Sequence, residues 1–222
     1  MLLIVLWFVI SLFVILFSGM YIGPGLAFLG IINFEYFMPR VTGMIGNTTF
    51  NSISNFSLSA IPLFMFMGEI VLNTNISKSL YRGLSKMLAP IPGGLLNSNI
   101  IACTFFAAIS GSSIATASAI GSVAFPEQKK RNYPAQLISG SLAAGGTLGI
   151  LIPPSITLII YGSMTGISVG KLFIAGIIPG IILASLFVIY IMIYAIIQKD
   201  KMPEREKNNF KEYILDFLKA WT

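Results

Sequence analysis

Five long stretches of this chain carry no charged side chain: 1–34, 41–68, 87–126, 132–170 and 172–198. Nothing else in the sequence constrains the fold as tightly, because a water-facing surface cannot be assembled without charges. A helix crosses the hydrocarbon core of a bilayer with about 20 apolar residues, so these runs hold several passes. Composition agrees: 55% of the 222 residues are hydrophobic and 10% are charged, with a mean hydropathy of +0.85. Soluble domains carry about 25% charged residues, and disordered chains are poor in apolar ones. The chain reads as an all-α integral membrane protein.

The first run has no basic leader and no clear small-x-small cleavage site, and a second apolar stretch follows it closely. This favours a retained helix over a secretory signal. Gly19, Gly23, Pro24 and Gly25 should make the turn into a return pass over 26–38. Residues 41–59, rich in Asn, Ser and Thr, read as a polar connection or an interfacial helix, and 60–72 as a third pass. Residues 1–75 are thus an N-terminal scaffold of transmembrane helices. Beyond them Lys78, Arg82 and Lys86 recur every four residues, while Ile76, Leu80, Leu84 and Leu88 keep the same spacing on another face. That is the pattern of a helix lying in the membrane interface. Pro90, Pro92, Gly93 and Gly94 end this element, which spans 76–92.

Residues 93–126 are long enough to cross once, but Ser110-Gly111-Ser112-Ser113 interrupts their middle. The flanks are Lys78, Arg82 and Lys86 on one side and Lys129, Lys130 and Arg131 on the other. A single crossing would leave one basic cluster outside, against the positive-inside rule. A re-entrant hairpin of two half-length helices puts both in the cytoplasm. Irregular backbone at such depth is tolerated only where protein or a watery cavity covers it. The next pass, 132–163, has its own flaw: three glycines (Gly145, Gly146, Gly149) precede Pro153 and Pro154, so the helix should unwind near 149–152 and restart at the prolines. A last pass fills 164–198. The tail, 199–222, is charged, with Phe210, Ile214, Leu215, Phe217, Leu218 and Trp221 at helical spacing. With all basic clusters cytoplasmic, the N-terminus lies outside and the tail inside.

The composition excludes much chemistry. There is no His, which removes the commonest metal ligand and general base. The lone Cys103 forms no disulfide framework and reads as a small buried hydrophobe. An intramembrane protease built on Ser112 or Ser113 lacks an activating His or a mid-depth Lys, so no enzymatic role is expected. A channel is disfavoured because no ring of charges or carbonyl-rich repeats is visible. The excess of 14 Lys+Arg over 8 Asp+Glu sets orientation in the bilayer and does not call for nucleic acid.

Two helix breaks at similar depth are how secondary transporters build midplane sites: half-helix N-termini face an anionic substrate, and unwound carbonyls hold Na⁺. Na⁺ needs only oxygens, which Ser110, Ser112, Gly149, Ile152 and Pro154 can supply. Ser112 can cap the second hairpin helix, and Ser155 falls in the first turn after the prolines. A substrate carboxylate would meet Ser112, Ser113 and Ser155 at two positive dipole ends. Each glycine taken alone also fits close helix packing through small-xxx-small patterns, including Gly140/Ala144 and Gly145/Gly149. Glu69 stands alone in its pass. It is a candidate for function or for structural pairing with Arg82 or Lys86, and in either case it should be buried in protein.

The stretches IPLFMFMGE at 61–69, FAAISGSS at 106–113, SLAAGGTLGILIPPS at 141–155 and KLFIAGIIPG at 171–180 resemble the large membrane subunit of tripartite ATP-independent periplasmic (TRAP) transporters. The resemblance covers nearly the whole chain. It implies an elevator-type secondary transporter of the bacterial inner membrane that moves Na⁺ with organic acid anions such as C4-dicarboxylates, keto acids or sialic acids. It also implies a small four-helix membrane subunit and a periplasmic substrate-binding protein as partners. The family's first hairpin and broken helix share a Na⁺ site, which carries over to the 110–113 tip and to Gly149, Ile152 and Pro154. Members of that family are about twice as long, with a second, inverted half. The chain therefore resembles the N-terminal half of such a permease, to be completed by a C-terminal half. The alternative is a truncated, non-transporting assembly piece.

Overall fold

The computed structural model describes residues 2–40, 42–74, 76–199 and 202–203. The expected amphipathic tail at 204–222 lies outside the described residues. The chain divides into two compact units, Met1–Asn55 and Phe56–Thr222.

In the first unit α1 (Leu2–Phe17) and α2 (Ile22–Phe37) form an antiparallel pair. Trp7 near the start of one stacks on Tyr36 near the end of the other, ring centroids 6.4 Å apart. Each helix has 16 residues, about 24 Å at 1.5 Å per residue, somewhat short of the ~30 Å core. The turn is tighter than the glycines suggest. Gly23, Pro24 and Gly25 already belong to the first turn of α2, where proline costs no hydrogen bond, and the reversal is made around Gly19. The Asn-rich stretch contains a short helix, α3 (Ile45–Ile53).

The second unit holds α4 (Ala60–Asn73), α5 (Ile76–Leu88), α6 (Leu95–Ser110), α7 (Ser113–Lys130), α8 (Ala135–Leu151), α9 (Ile156–Thr165) and α10 (Val169–Ile197). Among the described residues three helical stretches are long and apolar enough to cross a membrane: Phe56–Asn73, Ala135–Thr165 and Val169–Ile197. No strand occurs among the described residues.

The interruption at 110–113 folds α6 and α7 back on each other. Asn99, one turn into α6, hydrogen-bonds Gln128 near the end of α7, so the two ends of the hairpin lie side by side. The core sits between α5, α6, α7 and α8, with Tyr81, Ile100, Cys103, Phe106, Ile120 and Ile138 fully buried. The amphipathic α5 turns Leu80, Leu84 and Leu88 onto this core and leaves Lys78, Arg82 and Lys86 exposed.

Candidate functional site

Backbone hydrogen bonding dictates where each helix stops. Gly111 takes a left-handed φ of +61°, a conformation that costs side-chain-bearing residues about 1–2 kcal/mol. Its N–H closes the last turn of α6 onto the Ala107 carbonyl at 3.0 Å. Ser112 is extended and caps α7, its Oγ accepting from the Ala115 N–H at 3.4 Å. In α8 the carbonyls of Gly149 and Ile150 would need the N–H groups of residues 153 and 154, and both are prolines, which have none. The Ser155 hydroxyl donates to the Ile150 carbonyl and its Oγ also accepts from Leu158 N–H at 3.5 Å, capping α9. Gly149's carbonyl keeps no N–H donor among the described residues.

The two breaks touch. Ile156 N–H, at the start of α9, donates to the Gly111 carbonyl at 3.3 Å. A Cβ on Gly111 would stand 2.6 Å from the Pro154 carbonyl oxygen. A Cβ on Gly149 would stand 2.8 Å from the Ser112 carbonyl carbon and 2.9 Å from the Ser113 nitrogen. Ser112, Ser113, Gly149 and Pro154 therefore share one cluster, and only glycine permits the approach. Ser110 lies beneath it, its Oγ 2.8 Å from Thr116 Oγ1. Gly68 of α4 passes over Ser110, a Cβ there lying 3.5 Å from the Ser110 carbonyl oxygen. Ser113 Oγ is buried and has no hydrogen-bond partner among the described residues. Helices α6 and α8 end here with the negative ends of their dipoles, and α7 and α9 begin here with the positive ends. One spot thus offers oxygens to a cation and amides to an anion.

Three expectations need correction. The unwound segment is not 149–152: α8 stays helical through Leu151, and the non-helical backbone runs from Ile152 to the Ser155 cap, both of which are extended. The reason is that a proline removes the partner of the carbonyl four residues earlier and pushes the residue just before it, Ile152, out of the helical region, while Gly149, Ile150 and Leu151 stay helical. Ser155 is accordingly the N-cap, not a first-turn residue. Ile152 brings its backbone to the break but sends its side chain to α10, where a Cβ on Gly180 would lie 2.8 Å from Ile152 Cγ1. Glu69 is exposed, not buried. Its carboxylate accepts from Asn73 Nδ2 at 3.0 Å, one turn along its own helix, in place of pairing with Arg82 or Lys86.

The sequence reading missed a buried polar cluster at the other end of the hairpin. Gln128 Nε2 shares its two hydrogens among three oxygens within hydrogen-bond reach, Tyr81 OH at 2.8 Å, the Leu95 carbonyl at 3.0 Å and Asn99 Oδ1. Asn99 Nδ2 donates to Gln128 Oε1 at 3.3 Å and to Ser141 Oγ at 2.8 Å. Burial pushes the Tyr81 phenol well above its ordinary range, and the Gln128 hydrogen bond only partly opposes this, so the ring stays a neutral acceptor. Asn99 and Gln128 gave no such signal: Gln128 lies in the charged run 127–131 and Asn99 follows Asn97 and Ser98, and nothing in their spacing pairs them. Also missed was Gly176 of α10, where a Cβ would lie 2.7 Å from the Leu151 carbonyl oxygen. With Gly180 it forms a small-xxx-small pair that seats the break on α10.

Residues 9–222 match the family model described as "Tripartite ATP-independent periplasmic transporter, DctM component". The chain belongs to this DctM family. Among curated relatives, the C4-dicarboxylate TRAP transporter large permease protein DctM of Pseudomonas aeruginosa is 34% identical over 191 residues, 86% of this chain and 44% of that protein. The isethionate TRAP transporter permease protein DctMQ of Oleidesulfovibrio alaskensis is 35% identical over 198 residues, covering 89% and 31%. The 2,3-diketo-L-gulonate permease YiaN of Escherichia coli is 37% identical over 142 residues, covering 64% and 33%. The chain spans less than half the length of these DctM-family relatives.

Proposed function

We propose that this chain supplies the N-terminal half of the translocation site of a Na⁺-coupled importer of organic acid anions in the bacterial inner membrane. The observation that carries this reading is the contact between the hairpin tip and the α8–α9 break. Four helix ends converge there, and a buried carbonyl at Gly149 and a buried hydroxyl at Ser113 lack partners among the described residues. An unsatisfied buried polar group costs about 1–3 kcal/mol, a cost that a coordinated cation offsets. Na⁺, as co-transported cargo, is held by oxygens from Ser110, Ser112, Gly149, Ile152 and Pro154. The substrate's acidic group faces the amides opening α7 and α9, near Ser112, Ser113 and Ser155. In this reading the hairpin is re-entrant, its tip inside the bilayer and both basic clusters cytoplasmic.

The relatives named for C4-dicarboxylate, isethionate and 2,3-diketo-L-gulonate support an organic acid as cargo. Completion of the site by a C-terminal half, assembly with a small membrane subunit and delivery by a periplasmic binding protein belong to the same proposal. The test is uptake of a radiolabelled C4-dicarboxylate by proteoliposomes holding this chain, a matching C-terminal half, the small subunit and the binding protein. Uptake should require a Na⁺ gradient, and Ser112→Ala should weaken the Na⁺ dependence. Uptake indifferent to Na⁺ sinks the reading.

A further inference from the structure

A groove of about 620 Å³ opens on the second unit, away from the helix breaks. Its walls are Gln136 and Gly140 on α8 and Leu183, Phe187 and Tyr194 on α10, and the fully buried Ile100 of α6 forms its floor. From Leu183 to Tyr194 it runs eleven residues, about 16 Å along a helix, close to half the ~30 Å hydrocarbon core. The groove is one leaflet deep.

Its two ends differ. Toward Leu183 the lining is hydrocarbon. Toward Tyr194 it gains the Gln136 amide and the Tyr194 hydroxyl, which donates to Gln198 Oε1 at 3.0 Å. Aromatic residues with a polar tip belong at the head-group level. The same end carries exposed lysines: Lys129 and Lys130 close α7 just before α8 begins, and Lys199 follows α10. The nearby acid Glu127 is engaged by Arg131 at 3.2 Å, and in the sequence Asp200 is flanked by Lys199 and Lys201, so the lysine charge prevails. Gly140 is the telling residue. A glycine inside a helix is unfavourable relative to alanine, and no atom lies within 4 Å of where its Cβ would be. No contact within the second unit accounts for its lack of a side chain.

We propose that this groove holds an acyl chain of an anionic glycerophospholipid, with Gly140 leaving room for the chain and Lys129, Lys130 and Lys199 meeting the phosphate. The inference does not rest on Na⁺ coupling or transport, and it stands or falls separately.

The experiment uses the full chain in nanodiscs containing phosphatidylglycerol with a diazirine on its acyl chain, read by mass spectrometry after photolysis. Labelling should concentrate on α8 and α10 and exceed that from the matching phosphatidylcholine probe. Gly140→Phe fills the groove and should abolish most labelling there, while Ile174→Phe, on an exposed face of α10, should leave it unchanged. Removing lysines one at a time as Lys→Gln should cut the preference for phosphatidylglycerol about fivefold each, as expected for about 1 kcal/mol per basic residue at a membrane surface. Size-exclusion profiles confirm that each variant is folded. Equal labelling of Gly140→Phe and wild type, equal loss in Ile174→Phe, or no preference between the two probes would overturn the proposal. So would a photo-crosslinker placed at position 140 that captures only protein, which would assign the groove to a polypeptide.

Discussion

The two ends of the α6–α7 hairpin are held by opposite means. At its open end Tyr81, Asn99, Gln128 and Ser141 satisfy one another with side-chain hydrogen bonds, and of the buried side-chain atoms there only Asn97 Oδ1 has no partner among the described residues. At its tip the chain is held by backbone lying on backbone, Gly111 against Pro154 and Gly149 against Ser112, and polar groups are left over. A closed polar network fixes geometry and has nothing to offer a ligand. A glycine-lined contact brings carbonyls and amides together without occupying them. The first arrangement suits an anchor and the second suits a site.

Substitutions can break this contrast, beginning where nothing can yield. Gly111→Val forces a left-handed β-branched residue and drives its Cβ into the Pro154 carbonyl. The loss should be about 2–5 kcal/mol by adding left-handed strain to overpacking, read as lowered thermal stability in detergent. Gly149→Ala meets the Ser112 backbone and should cost about 1–3 kcal/mol. If both are tolerated without loss, the tip does not pack as described. At the open end Gln128→Leu strips partners from Asn99 and Tyr81 and should cost about 2 kcal/mol. A double-mutant cycle with Asn99→Ala should return a coupling of about 0.5–3 kcal/mol, and strict additivity would dissolve the anchor. Ser155→Ala removes the α9 cap for about 1 kcal/mol, and helix content followed by circular dichroism should fray accordingly. Glu69→Gln should change stability by less than about 0.5 kcal/mol, as for exposed positions generally. A larger effect would mean that Glu69 has a partner beyond Asn73.

Much of the second unit was legible from residues alone. A fold-back between two basic flanks followed from the Ser-Gly centre, and α6 and α7 do fold back around Gly111, although α7 runs on to Lys130, past the expected end at 126. The broken helix followed from Pro153 and Pro154, although its break falls at Ile152–Ser155 because proline expels from the helix only the residue directly before it. Burial of Glu69 was the clearest miss: a charge in an apolar helix says nothing about which way that helix turns. The Tyr81–Gln128 and Asn99–Ser141 pairs were illegible for a similar reason, since their members are separated by 47 and 42 positions.

Sequence by itself determined that the chain enters a membrane, where its helices are interrupted, and which positions lack a side chain or an amide hydrogen. Those are local matters of charge, proline chemistry and steric freedom. Only the tertiary structure decided that one interruption rests on the other and that α10 supports the break through Gly176 and Gly180. Such meetings depend on packing between elements far apart in the chain, and the shapes of facing surfaces are not written in either segment alone.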